Sequence, residues 1–159
     1  MNQETILQPG ALDQLPGHAI RRLHQISTGI FHQEVNELGV TPLQYSVLQT
    51  VSEQPDIDQR TLAYFVALDA STTAGVVDRL EARGALVRKV SPNDKRMRLL
   101  SLTPDGEALL QQAIPAMLRA QALILAPLTA RQREDFMYLL DKLVTKNNAY
   151  SRAPSDTSR

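Results

Sequence analysis

Residues 86–102, LVRKVSPNDKRMRLLSL, place two apolar runs on either side of the hexapeptide SPNDKR at 91–96. Val and Leu are frequent in the runs 86–90 and 97–102, as is typical of short strands, and the Pro-Asn-Asp sequence between them favours a turn. The stretch therefore predicts a β-hairpin. Lys95 and Arg96 put positive charge at its tip.

Two helices are predicted in the first third of the chain. Apolar residues recur at helical spacing over 18–38, and Gly39 ends that long helix. Thr41-Pro42-Leu43-Gln44 is a capping-box pattern with proline at the first helical position. A second helix therefore begins there, and it should end before Pro55.

Two shorter helices are predicted between this segment and the hairpin. Asp58 can cap a third helix that continues to about residue 66, and either Asp69 or Ser71 can cap a fourth. Gly84 is a typical C-terminal stop for that fourth helix. Only a few residues separate the two helices, which is the spacing of a helix-turn-helix.

Two more helices should follow the hairpin. Thr103 and Pro104 open a helix that continues to about residue 125, and Pro115 should bend it or leave a carbonyl unpaired. A second capping box at Thr129 starts the last helix. Its apolar face consists of Phe136, Leu139, Leu140 and Leu143.

The order of these elements predicts the fold class. A short helix, a tight turn, a second helix and a two-stranded hairpin make up the winged helix-turn-helix, whose second helix enters a major groove while the hairpin reaches along the duplex. We therefore expect a mainly α protein with a small β-hairpin, in which a winged helix-turn-helix core lies between N- and C-terminal helices.

The charge of the chain is balanced overall and concentrated locally. The 159 residues include 17 Lys and Arg and 17 Asp and Glu, so the net charge is zero. Between positions 79 and 98, however, seven Lys and Arg stand against two Asp and Glu, a net charge of +5. A patch of this kind is sufficient for contact with phosphates, because only the cations that touch the backbone displace counterions.

Composition argues against several other classes of protein. The chain has no cysteine, which excludes disulfides and thiol chemistry and fits a cytoplasmic protein. Neither a Gly-rich phosphate loop nor a Gly-x-Ser-x-Gly motif occurs, so we expect no enzymatic activity and no cofactor. His18, His24 and His32 are six and eight residues apart, which is the wrong spacing for a metal site on one helix. We find no signal peptide and no apolar window that approaches a membrane span, and we expect no membrane partner.

Residues 77–110, VDRLEARGALVRKVSPNDKRMRLLSLTPDGEALL, resemble the MarR (multiple antibiotic resistance regulator) family of bacterial transcription factors in the order and spacing of their motifs. These motifs are the Asp-Arg-Leu-Glu run, the Gly-Ala-Leu-Val run, the wing Asp-Lys-Arg and the exit Leu-Thr-Pro-Asp-Gly. The resemblance extends over about residues 15–148. It implies a homodimer on a pseudo-palindromic double-stranded DNA operator, and a small effector, often an aromatic carboxylate or phenol, that lowers DNA affinity.

The resemblance also implies a division of the chain. Residues 1–159 form a single MarR-like unit in which 12–40 and 104–148 are dimerisation helices and 41–103 are the DNA-binding lobe. Residues 151–159, SRAPSDTSR, are small, polar and Pro-containing, and we expect a flexible tail over 149–159. The apolar faces of the first and last helices support the dimer independently, because neither can be buried within a winged helix alone.

Candidate DNA contacts lie at the start of the predicted recognition helix. Ser71, Thr72, Thr73 and Val76 are the candidates. The hydroxyls can bond phosphates or base edges, and the threonine methyls can contact thymine methyls. The hydroxyls can equally be capping groups only. Arg79 can contact phosphate or pair with an acidic neighbour within the lobe.

The wing supplies a second set of candidates. Arg96 can insert its guanidinium into a narrow minor groove, and Lys95 can contact phosphate. The family's Asp-x-Arg wing implies that Asp94 holds that arginine in place. The alternative is a solvated charged turn with no role in binding.

Candidate effector contacts lie on the first helix, at His18, Arg21, Arg22 and His24. Arginine can bind a carboxylate bidentately, and the resemblance puts this helix beside the effector pocket. Salt bridges in a dimer interface are the alternative, and the sequence does not distinguish Arg21 from Arg22.

Together these observations predict a ligand-responsive DNA-binding regulator, with repression of aromatic-compound catabolism or efflux genes inferred from family habit. Two alternatives stay open: a winged-helix protein–protein adaptor, and a DNA-binding regulator without an effector.

Overall fold

The computed structural model describes residues 12–151 and 153, and it contains six α-helices and three strands within them. In chain order the elements are α1 (Pro16–Val35), α2 (Pro42–Glu53), β1 (Ile57–Asp58), α3 (Gln59–Phe65), α4 (Ala70–Ala82), β2 (Leu86–Val90), β3 (Arg98–Leu102), α5 (Pro104–Leu125) and α6 (Ala130–Asn147). Short 3₁₀ helices precede α1, follow it at Asn36–Leu38, and follow α6 at Asn148–Tyr150. The expected mainly α fold with a small sheet is confirmed.

Helices α2, α3 and α6 begin where their capping residues predict, whereas α1 has no side-chain cap and begins at Pro16, two residues before its predicted start. Thr41 and Thr129 each form both hydrogen bonds of a capping box, and Asp58 accepts the backbone N–H groups of Arg60 and Thr61. Each of these side chains satisfies N–H groups that have no partner within the helix. Asp69, and not Ser71, is the cap of α4.

The sheet has one strand more than the predicted hairpin. Its order is β1-β3-β2, with antiparallel pairing throughout, and Ile57 of β1 pairs with Leu100 of β3. A strand of two residues is too short for an alternating pattern, so β1 cannot be recognised in the sequence. Its role is to bury Ile57 beside the hairpin, which ties the wing to the beginning of α3.

The main core lies inside the winged lobe. Helices α2 and α4, the sheet and the first half of α5 supply fully buried side chains to it, among them Val47, Leu48, Val77, Leu80, Leu100 and Leu110. A smaller cluster of Phe31, Val35 and Ala116 joins α1 to α5. Tyr45 packs against both clusters and so connects the lobe to the long helices.

The first turn of α5 lies directly against the chain that leaves α4. A Cβ atom placed on Gly106 would lie 1.9 Å from the carbonyl oxygen of Ala85, far inside any permitted contact. The N–H of Thr103 donates to the same Ala85 carbonyl at 3.1 Å, and the Thr103 hydroxyl donates to the carbonyl of Gly84. Because Gly106 has no side chain, the first turn of α5 can lie directly against the carbonyl of Ala85.

Helix α5 continues without interruption through Pro115, which has no N–H to donate to the preceding turn. By length and composition alone it is apolar enough to cross a membrane, because an 18-residue window within it has a mean hydropathy of 1.2. The expectation that no segment approaches a membrane span was therefore wrong on those two criteria. They are weak evidence, because a core helix of a soluble protein meets them too, and α5 packs along α1 through Ala116 and contributes Leu110 to the core.

Helix α6 contributes no buried residue to the single chain. Six large apolar side chains on it are more than one third exposed: Met137, Tyr138, Leu139, Leu140, Leu143 and Val144. The division into dimerisation helices and lobe stays a prediction. The predicted tail covers residues 149–159. Its first two residues belong to the 3₁₀ helix Asn148–Tyr150, and residues 152 and 154–159 lie outside the described part of the chain.

Candidate nucleic-acid interface

Asp69 fixes the beginning of α4. Its carboxylate accepts the backbone N–H of Thr72 at 2.8 Å and the Thr72 hydroxyl at 2.7 Å. These two bonds, first that of the hydroxyl and then that of the backbone, lower the pKa of Asp69 because they stabilise its charged form. Ser71 is exposed at the same end of the helix, and Thr72 is half-buried.

Two of the predicted DNA contacts lie in the core instead. Thr73 is 0% exposed, and its hydroxyl donates to the backbone carbonyl of Asp69 at 2.9 Å. Val76 is 1% exposed and belongs to the same core cluster as Val77 and Leu80. Their assignment to DNA was wrong, because both side chains lie on the face of α4 that packs into the core. The sequence of this segment mixes small, hydroxyl and apolar residues, so it does not show which of them face outward.

The outward face of α4 has mostly short side chains, and its one long cationic side chain is that of Arg79. Ser71, Asp78 and Arg79 are exposed there. The guanidinium of Arg79 folds back over Gly75, since a Cβ placed on Gly75 would lie 3.6 Å from Arg79 Nη1. Sequence reasoning did not single out Gly75. The available signal was a glycine inside a predicted helix, which usually has a packing or functional reason.

The wing tip is an ordered turn with exposed cations. The N–H of Ser91 donates to the carbonyl of Met97 at 3.1 Å, and the N–H of Met97 donates to the carbonyl of Asp94 at 3.0 Å. Lys95 and Arg96 are exposed between these bonds. The geometry therefore presents two cations on a turn that is closed by its own backbone.

Asp94 orders this turn in a way that differs from the prediction. Its carboxylate accepts the backbone N–H of Arg96 at 2.8 Å. The expectation placed the guanidinium of Arg96 on this carboxylate, and the described hydrogen bond runs to the main chain instead. An Asp side chain commonly bonds the backbone two residues onward in a turn, which explains the arrangement.

Part of the +5 segment is neutralised within the fold. Arg88 of β2 forms ion pairs with Asp78 and Glu81 of α4, the latter at 3.1 Å, and it is a quarter exposed. Its Nε is buried without a described partner. The guanidinium of Arg88 therefore fixes the wing strand to the recognition helix and is not available to phosphates. Sequence reasoning counted this charge as part of the basic patch.

Two adjoining open clefts lie between the end of α1 and α5, of about 420 and 540 Å³. Glu37, Leu38 and Gln112 line both. None of the four predicted effector residues lines either cleft. Within the described residues, no group of His, Asp and Glu side chains has the arrangement of a metal site.

Three of the predicted effector residues gather near the beginning of α1. Arg21 Nη2 lies 3.4 Å from His18 Nδ1, and Arg21 Nη1 donates to Gln25 at 3.1 Å. His18 Nε2 and Arg22 Nη1 each lie 3.7 Å from the carboxylate of Asp13. His24 is exposed one turn further along the helix. Arg21, Arg22 and His24 are exposed in the single chain, whereas the side chain of His18 is only 14% exposed.

A winged lobe with an exposed cationic hairpin, attached to long helices with uncovered apolar faces, defines the class of winged helix-turn-helix transcriptional regulators. The sequence model of the MarR family matches residues 40–97. The HTH-type transcriptional repressor NicR of Pseudomonas putida is 30% identical over 151 residues, which are 91% of this chain and 96% of NicR. The chain belongs to the MarR family, whose members are regulators of transcription and not enzymes.

Two solved structures carry the comparison further. The first is Bordetella bronchiseptica BpsR, whose DNA binding is regulated by 6-hydroxynicotinic acid. BpsR is 31% identical to this chain and superposes with a TM-score of 0.81, over 86% of this chain and 97% of BpsR. The transcriptional repressor CouR, bound to a 23-mer DNA duplex, is 29% identical with a TM-score of 0.79, over 87% of this chain and 98% of CouR. The recognised resemblance is therefore confirmed at the level of sequence and of fold.

Proposed function

We propose that the protein is a homodimeric, cytoplasmic repressor that binds a pseudo-palindromic double-stranded DNA operator and is released from it by a small aromatic carboxylate or phenol. The observation that carries the DNA-binding part is the wing tip, where Lys95 and Arg96 are exposed on a turn that Asp94 closes. The CouR structure supports this part because it contains a DNA duplex.

Each half of the dimer contacts DNA through two elements. Arg96 enters a narrow minor groove, where the negative potential is strongest, and Lys95 neutralises a phosphate. Helix α4 lies in the major groove with Ser71, Thr72 and Arg79 towards the duplex. Because this face lacks Asn and Gln and carries Gly75, it contacts bases through few side chains, and DNA shape contributes much of the specificity.

The dimer is supported by uncovered apolar surface on all three long helices. Large exposed apolar patches on a protein often mark a surface that another chain covers. The exposed large apolar residues of α1, α5 and α6 include Ile20, Leu23, Ile26, Leu118, Leu123, Met137, Tyr138, Leu139, Leu140, Leu143 and Val144. A second copy of the chain covers this surface and places the two α4 helices on successive major grooves.

The effector part of the proposal is supported by two relatives. The DNA binding of BpsR is regulated by 6-hydroxynicotinic acid, an aromatic carboxylate. NicR is a transcriptional repressor, and its sequence aligns with almost the full length of this chain. We assign the carboxylate to Arg21, because neither of its described partners, Gln25 and the ring of His18, is a carboxylate, whereas Arg22 lies beside Asp13. His18 and His24 offer ring nitrogens to a phenolic hydroxyl.

One set of binding measurements tests the proposal. Duplexes are selected from a random library by the wild-type protein, and the affinity for the selected duplex is measured at two salt concentrations, with and without each of a panel of aromatic carboxylates and phenols. We expect sequence-specific, salt-dependent binding that at least one compound weakens.

The outcomes separate the proposal from its alternatives. Absence of salt-dependent DNA binding would favour a protein–protein adaptor. Specific binding that no compound changes would favour a regulator without an effector. If a compound acts, Arg21→Ala should abolish its effect while operator affinity without the compound is preserved, and Arg22→Ala serves as the matched control.

A further inference from the structure

Arg83 connects the recognition helix to the end of the first helix. It is the C-terminal capping residue of α4, and its guanidinium donates to the carbonyl of Leu38 at 2.6 Å and to that of Gly39 at 2.8 Å. These carbonyls are 44 and 45 positions away in sequence and lie at the end of the 3₁₀ turn that continues α1. A single side chain therefore bridges the lobe and the long helices.

Both ends of this bridge are held by the local backbone. Gly39 has φ +58°, a conformation that glycine adopts without strain, and its N–H donates to Asn36. At the other end the N–H of Arg83 donates to the carbonyls of Arg79 and Glu81. The side chain thus runs from a fixed helix end to a fixed turn.

The chemistry of the bridge suits a lasting contact. The last carbonyls of a helical segment have no partner within it, and a cation there also interacts favourably with the helix dipole. The planar guanidinium donates to both carbonyls at once, which restricts direction as well as distance. Lysine has the charge but not this paired geometry.

We propose that Arg83 is a positioning residue that sets the angle between the recognition helix and α1, and through it the distance between the two recognition helices of the dimer. This rests on the proposed function. Packing of Val77 and Leu80 keeps α4 inside its own lobe, and the contact of Phe31 with Tyr45, at 6.5 Å between ring centroids, joins that lobe to α1. Helix α5 also connects them, because Leu110 lies in the lobe core and Ala116 packs on α1. Arg83 adds an anchor at the end of α4 itself, and this anchor restricts rotation of the recognition helix relative to α1.

The spacing between half-sites reports this angle directly. A dimer whose recognition helices are held about one helical turn apart binds best when its half-sites are about 10 base pairs apart, centre to centre. A looser lobe tolerates other spacings. Loss of Arg83 should therefore reduce discrimination between spacings, with only a secondary effect on binding to a single half-site.

The experiment uses full-length wild type, Arg83→Ala, Arg83→Lys and the control Arg131→Ala, which removes the same charge from an exposed position on α6. The probes are the duplex selected from a random library by wild type, and the same duplex with one base pair added or removed between half-sites. Affinities are measured at two salt concentrations, and circular dichroism melts confirm that each variant is folded.

Discrimination is the ratio of the affinity for the selected duplex to the affinity for a duplex of altered spacing. We expect this ratio to be roughly tenfold smaller for Arg83→Ala than for wild type. Its salt slope should stay the same, because Arg83 contacts carbonyls and no phosphate. Arg83→Lys should fall between wild type and Arg83→Ala, and Arg131→Ala should discriminate as wild type does.

Two results would overturn the inference while the proposed function stands. One is unchanged spacing discrimination in both Arg83 variants. The other is a salt slope lower by about one with discrimination intact, which would make Arg83 a phosphate contact. A wild-type protein that selects no duplex would overturn the proposed function, and this inference with it.

Discussion

The contact between Gly106 and Ala85 provides a sharp test of how the lobe is joined to α5. Alanine at position 106 would place its Cβ 1.9 Å from the Ala85 carbonyl oxygen, whereas ordinary contact begins at 3.4 Å. One backbone must therefore move by about 1.5 Å. This displacement also disturbs the 3.1 Å hydrogen bond from Thr103 to the same carbonyl.

Opposing effects determine the size of the change. Replacing glycine by alanine inside a helix by itself gains about 1 kcal/mol. Overpacking against a backbone costs about 3 kcal/mol at the upper end of its usual range, and a weakened hydrogen bond costs about 1 kcal/mol. We expect Gly106→Ala to lower the free energy of unfolding by about 3 kcal/mol, which corresponds to a fall in Tm of about 6–12 °C.

Gly75→Ala is the matched control. It is the same substitution inside another helix, where the nearest neighbour of the new Cβ is the flexible guanidinium of Arg79 at 3.6 Å. We expect it to raise stability by up to about 1 kcal/mol. Both variants are compared by thermal and denaturant unfolding at one protein concentration, because association changes apparent stability. A Gly106→Ala protein as stable as wild type would refute the close approach of α5 to Ala85.

Further expectations concern the DNA-binding surface and its supports. Arg96→Ala should leave folding within about 0.5 kcal/mol of wild type but cost about 1–3 kcal/mol of operator affinity and relax the preference for A·T flanks, as binding isotherms on operator and scrambled duplexes would show. Lys95→Ala should instead weaken both duplexes alike and reduce the salt slope by about one; unchanged affinities in both variants would make the wing a solvated turn. Thr73→Val should destabilise the fold by about 1 kcal/mol in denaturant unfolding because Thr73 is buried and bonded to a carbonyl, and a loss confined to DNA binding would contradict its place in the core. Because the pKa of Asp69 is lowered in the folded chain, its contribution to stability is present above the ordinary Asp value of about 3.9 and is lost as pH falls through the lower, folded value. Asp69→Asn should therefore flatten the fall of Tm below about pH 4, and an unchanged profile would contradict this.

Much of the architecture could be read from local chemistry. Thr41, Asp58 and Thr129 cap the helices they were expected to cap, and the hairpin forms around its Pro-Asn-Asp turn. Each of these features depends on residues within a few positions of one another, so the sequence contains the whole interaction. The strand β1 was not predicted, because two residues are too few to show an alternating pattern. It forms only because β3 lies beside it and supplies its hydrogen-bond partners.

The candidate site was predicted less completely than the fold. The cationic wing tip and Arg79 are exposed, but Thr73 and Val76 are buried, and Asp94 bonds the backbone of Arg96. A helical stripe several residues wide does not show from sequence alone which edge faces the core. The answer depends on the neighbours that α4 meets in space.

What the sequence by itself determined is therefore the set of elements, the local basic segment and the family. The tertiary structure decided which charges remain available. Arg88 is used by Asp78 and Glu81, and Arg83 by carbonyls 44 and 45 positions away. Arg98 donates to the carbonyl of Lys95 within the wing at 2.8 Å, so three of the seven cations form bonds within the fold before any DNA is bound. A cation's partners depend on distances of a few ångströms between residues far apart in the chain, and those distances exist only once the helices have packed.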